Sequence, residues 1–263
     1  MSCEKDFELP NWIDYKPCDL DYYSNTARQD LLCRFKLTQV YQNFCIARMN
    51  CIFSDKKNNY GDLDPENKNK EWLEKIFLQN ALLYYNICVD LSWCMVYFYC
   101  ASKSEESFNI TEKEIEKIEE EINYDNLKAR LEMSLKISNF KDKKKLERIL
   151  ELTTEFWNDK IPKEFRQDYN YIKHRGTFDI FDDFKNDENT SLFLIDGIKP
   201  NITVPRFKKF DSEEYINILR DFHVSFLKYM NDLIDIIIKP HYNPSKYSIK
   251  EIINNVINNS KKE

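Results

Sequence analysis

Residues 76–100 read IFLQNALLYYNICVDLSWCMVYFYC. At 3.6 residues per turn, this run puts apolar side chains on nearly every side of a helix rather than along one stripe. Such a stretch is either a membrane span or the central helix of a bundle. Gln79, Asn80, Asn86, Asp90 and Ser92 are spread through it, charge at mid-bilayer depth is costly, and no flanking basic cluster sets a topology. The reading is a buried helix from about Pro65 to Ala101, with other helices packed around it. Asn86 and Asp90 stand at i, i+4 and share a face. Buried polar groups need partners, so this pair either ties to neighbouring side chains or lines a functional groove.

Outward from this helix the same periodicity recurs. Leu31, Phe35, Leu37, Val40, Tyr41, Phe44, Ile46 and Met49 mark a long helix from about Tyr22 to Phe53. Asn126–Ile137 and Asp142–Asn158 read as two more helices, and Ser212–Ile238 as a long amphipathic one capped by Asp211 with Glu214 and stopped by Pro240. Thr111 and Glu114 form a capping box for a short acidic helix, and Ser248 with Glu251 opens a last one. Residues 1–20 read as an extended arm whose Phe7, Trp12, Ile13 and Tyr15 lie on the body. Strand-like runs between residues 177 and 210, with Asp196-Gly197 as a turn, predict a small β excursion. No repeat or low-complexity linker divides residues 1–263, so one all-α domain is expected.

Composition narrows the function classes. The chain has 263 residues but only three glycines, which argues against glycine-rich phosphate loops, dinucleotide turns and turn-dense β-sandwiches. A net charge of −6 provides no global attraction to nucleic acid, so RNA contact needs a local patch. Eight cysteines in a long chain with no signal peptide after Met1 read as reduced thiols of a cytoplasmic protein. Cys88, Cys94 and Cys100 recur every six residues, too far apart for a CxxC metal clip. With three histidines and no HExxH, P-loop or GxSxG, neither a metal nor a cofactor is expected. His223 reads as structural within its helix, and His241 as a loop residue after Pro240.

The remaining chemistry gathers in residues 165–176, FRQDYNYIKHRG. Pro162 opens a helix there and Gly176 ends it. At about 100° per residue, Arg166, Asn170 and Lys173 fall within roughly 60° of one another, with His174 about 80° from Arg166. Phe165, Tyr169 and Ile172 form the apolar stripe, so the polar stripe is expected to face outward. Lys173 and Arg175 flank His174 and would attract a phosphate. Lys143, Lys144 and Lys145 oppose the macrodipole of the helix they open, and form a second candidate anion patch beside the plain reading of a solvated surface.

The segment Asn170-Tyr-Ile-Lys-His174-Arg-Gly176 resembles the signature of HEPN domains, helical-bundle proteins of prokaryotic defence, toxin and RNA-processing systems. The helix NALLYYNICVDLSWCMVYFY resembles an uncharacterised clostridial HEPN branch, and the likeness extends through the β excursion to the helix ending at Pro240. The resemblance implies a HEPN-like bundle with a β-hairpin excursion. It also implies a homodimer through the His174 helix and a metal-independent endoribonuclease site. In that site His174 is the acid/base, Asn170 the orienting polar group, and Arg166 or Arg175 the phosphate ligand. Arg166 stands one position earlier than the family spacing, whose places hold Gln167, Asp168 and Tyr169. The alternative is a non-catalytic HEPN scaffold with a degenerate site.

Overall fold

The computed structural model describes residues 28–54, 70–103, 111–136, 143–175 and 212–237, all of them helical apart from short caps and connections. Seven helices follow in order: α1 Arg28–Phe53, α2 Lys70–Lys103, α3 Glu112–Glu121, α4 Tyr124–Lys136, α5 Lys143–Asn158, α6 Lys160–Arg175 and α7 Ser212–Ile237. The all-α expectation holds for these residues. The N-terminal arm, the β excursion over residues 177–210, the Asp211 cap, Pro240, His241 and the last short helix lie outside the described residues.

α2 is the axis of the bundle. α1 runs antiparallel along it, because Val40 meets Cys88, Phe44 meets Tyr85 and Phe53 meets Phe77. α7, α4 and α6 pack on the other sides of α2, through Tyr85 with Phe222, Trp93 with Tyr124, and Tyr85 with Phe165. The apolar character of α2 is therefore used on several sides, with Trp72 and Ile87 left exposed. Its polar residues are tolerated because they bond within the helix: Asn86 Nδ2 donates to the Leu82 carbonyl at 3.0 Å, and Ser92 Oγ to the Val89 carbonyl at 2.7 Å. By length and composition, Lys70–Ala101 is apolar enough to cross a membrane, yet 67% of its most apolar window is buried inside the bundle. That is the packing of a core helix.

Aromatic rings dominate the centre. Phe222 stacks on Phe165 at 4.0 Å and lies 5.4 Å from Tyr85, 6.2 Å from Phe156 and 5.9 Å from Phe226. Among them sits fully buried His223, with Nδ1 2.6 Å from the Tyr85 hydroxyl and its ring stacked 4.5 Å from Phe44. This is the structural role expected of it. Cys33, Cys51, Cys88, Cys94 and Cys100 are also buried. Burial pushes the Cys51, Cys94 and Cys100 thiols up to about 12, so these groups stay protonated and unreactive at neutral pH.

The junction of α5 and α6 follows from one proline. A continuous helix would drive the Pro162 ring into the carbonyl of residue 158, so the chain breaks at Asp159. The Asp159 amide closes α5 on the Glu155 carbonyl at 3.1 Å, and its carboxylate accepts from the Ile161 amide at 3.4 Å. α6 thus begins at Lys160, two residues before the proline expected to open it. Pro162 falls in the first turn, where its missing N–H leaves no intrahelical bond unmade.

Candidate functional site

α6 is held down by Phe165 and Ile172, both buried, and by a third residue that hydrophobic periodicity passes over. Asp168 lies on the same stripe and is only 6% exposed. Burial, and the charge and hydrogen bond of Asp168, push the Tyr215 phenol on α7 well above its ordinary range. The spacing i+3 from Phe165 and i−4 from Ile172 was the available signal for Asp168. Its partner on α7 had none.

Arg166 differs from its expected outward position. Its guanidinium turns toward α2, where Nη1 donates to Asp90 Oδ2 at 3.2 Å and to Asn86 Oδ1 at 3.4 Å. Asp90 Oδ1 lies 3.0 Å from the same Nη1 but off the hydrogen-bonding direction, so that contact is purely ionic. The guanidinium also covers the ring of Tyr169 at 4.9 Å and that of Trp93 at 5.7 Å. The Asn86–Asp90 pair therefore meets its need for partners through Arg166. Burial raises the Asp90 carboxyl above its ordinary value, with Arg166 and then Lys173 pulling the other way. The other guanidinium N–H groups of Arg166 make no hydrogen bond among the described residues, and 22% of the side chain is exposed.

Beyond Arg166 the stripe opens to solvent. Asn170, Lys173 and His174 are all exposed, and Lys173 Nζ reaches over the Tyr169 ring at 6.0 Å. Arg175 is the last residue of α6. Along the helix, Arg166 and His174 are about 12 Å of rise apart. Within one chain, an Arg166 drawn onto α2 and an exposed His174 do not converge on a single phosphate.

The lysine run is not part of this cluster. Thr153 and Phe156 of α5 lie against Tyr229 and Phe222 of α7, while Phe165 and Asp168 of α6 lie against Phe222 and Tyr215. α5 and α6 therefore follow α7 one after the other in the same sense. Lys143, Lys144 and Lys145 stand at the far end from His174, on the order of 40 Å away. Among the described residues, no group of three or more His, Cys, Asp or Glu is placed to hold a metal ion.

Comparison with protein families, curated proteins and solved structures finds no match to this chain. The described residues form an all-α helical bundle.

Proposed function

We propose that the protein binds RNA through the solvent face of α6 and cleaves it without a metal ion, as a cytoplasmic HEPN-type endoribonuclease of a defence or toxin system. The observation that carries this reading is the graded exposure along one stripe: Arg166 anchored by Asp90 and Asn86, then Asn170, Lys173 and His174 in solvent. His174 takes the proton of an RNA 2′-hydroxyl as that oxygen bonds to phosphorus. The P–O5′ bond then breaks, leaving a 2′,3′-cyclic phosphate, and the departing 5′-oxygen takes a proton from water. Asn170 orients the phosphate, and Lys173 and Arg175 supply positive charge to the transition state. Because Arg166 and His174 diverge within one chain, a second copy of α6 completes the site, giving an isologous homodimer across this face.

A second reading has its own observation. Arg166 is already paired with Asp90, as a structural arginine would be. On that reading the chain is a non-catalytic scaffold of the same bundle type. One experiment separates the two. Incubated with single-stranded RNA at low salt in EDTA, the native protein should cut RNA and leave a 2′-deoxy substrate intact. His174→Ala should reduce cleavage about 10²–10⁴-fold without changing the helical circular dichroism. Lys173→Gln should weaken RNA association and lower its salt slope by about one phosphate contact. Protein that neither binds nor cuts RNA under these conditions establishes the scaffold.

A further inference from the structure

α1 is apolar on two opposite faces, and the described helices cover one of them. Cys33, Leu37, Val40, Phe44, Ala47 and Cys51 are buried against α2 and α7. On the other side Phe35 is 49% exposed, Ile46 37% and Met49 52%, and at the end of the helix Phe53 is 44% exposed although its ring also meets Phe77 of α2. A helix at the edge of a bundle ordinarily carries its charges there. Here, in a chain that is 32% charged, no charged residue falls on the outer half of α1 between Phe35 and Phe53. Lys36 turns aside to Glu119 at 2.5 Å, and Arg48 acts on buried Cys51 and Tyr85.

The outer residues also have a period of their own. Phe35, Gln39, Gln42, Ile46 and Met49 are spaced 4, 3, 4, 3, and Leu32, partly packed on the core, and Phe53, beside Phe77, continue the spacing at either end, the alternation of a coiled-coil seam. The polar residues at its flanks turn back onto their own helix. Thr38 Oγ1 donates to the Arg34 carbonyl at 3.2 Å, Asn43 Nδ2 to the Gln39 carbonyl at 2.8 Å, and Asn50 Nδ2 to the Ile46 carbonyl at 2.8 Å. These hydrogen bonds are kept when water leaves the surface, so burial adds little polar desolvation.

We infer that a second copy of this chain packs antiparallel along the outer face of α1. The seam is complementary to itself. Antiparallel coiled-coil layers about a two-fold axis between Gln39 and Gln42 place Gln39 of each copy opposite Gln42 of the other. The same register sets Phe35 opposite Ile46 and Leu32 opposite Met49. Amide meets amide at the centre and apolar meets apolar on both sides, and a central polar layer is what fixes register and orientation in helix pairs. The opposed layers from Leu32 to Met49 extend over about 26 Å of helix, and the contact is isologous, joining two copies. It lies on a different helix from the α6 face and does not depend on RNA chemistry.

Light scattering and sedimentation of the full chain across about 1–50 μM test this pairing. The native protein should associate, and Met49→Glu should lower the mass while leaving the circular dichroism unchanged, because position 49 is exposed in the single chain. The double variant Gln39→Leu, Gln42→Leu should tighten association at least about tenfold by replacing both halves of the polar layer, a gain that a misfolded variant would not give. His174→Ala should leave this contact intact. A native protein that is monomeric throughout the range, or a folded Met49→Glu variant of unchanged mass, overturns the inference and assigns the face to another part of the chain or to a different protein.

Discussion

Asp90 concentrates the energetic question at the residue scale, because it is drawn two ways. Burial disfavours its charge more than Arg166 and Lys173 favour it, so its folded pKa is raised. The folded state then holds the Asp90 proton more tightly than the unfolded state does. The resulting stability is fully present below the unfolded value and is lost as pH rises through the raised folded value. Asp90→Asn cannot ionise and keeps an oxygen for Arg166. In urea melts it should be at least as stable as the native chain at pH 7, with the advantage shrinking toward pH 3.5. A loss of more than about 1 kcal/mol at pH 7 would show that the ion pair outweighs its desolvation cost. Asn86 is legible as a polar residue in an apolar helix, but its partner Arg166 lies 80 positions away. Nothing local in the sequence encodes that meeting.

At the scale of single helices, α3 is the element held by its ends. It buries no side chain, and its start is a complete capping box: the Thr111 amide donates to Glu114 Oε2 at 2.7 Å, and the Glu114 amide to Thr111 Oγ1 at 3.4 Å. Thr111→Ala should speed amide exchange in α3 severalfold to about thirtyfold, the range a lost N-cap implies. The global melting temperature should barely move, since α3 adds little to the core. An equal loss of protection in α2 would show that α3 is instead coupled to the whole bundle. The hydrogen bonds from the Thr111 backbone and side chain also lower the Glu114 pKa. Its contribution is present above the ordinary glutamate value and fades as pH falls through the lowered one, so α3 should fray first in acid. The capping box is legible in sequence, because it spans four residues. The α5–α6 break is legible in part: Pro162 announces it, but Asp159 sets its position.

The whole molecule is stabilised by a cluster that draws buried side chains from α1, α2, α4, α5, α6 and α7. Phe222 is an aromatic junction of it, touching rings from α2, α5, α6 and α7. Phe222→Ala should cost about 3–5 kcal/mol. Two positions on, Val224 is 52% exposed, and Val224→Ala should stay within about 0.5 kcal/mol. Chemical denaturation of both variants checks the pair, and comparable losses would mean that the outer face of α7 is also packed. At this scale the lysine run parts from the histidine. Lys143–Lys145 and His174 belong to successive helices of one sense along α7, so a single short RNA cannot occupy both through one chain.

What the sequence determined by itself is what repeats within a few residues. Helical periodicity located α1, α2, α4, α5 and α7, the capping box placed α3, and the all-round apolar pattern made α2 the axis. The same pattern put His223 in the core. The tertiary structure alone decided which polar groups meet: Arg166 with Asp90 and Asn86, Asp168 with Tyr215, Tyr85 with His223. Periodicity reports which face of a helix is apolar, because burial drives that pattern along every turn. It carries no information on which other helix, 76 or 138 positions away, supplies the hydrogen-bonding partner.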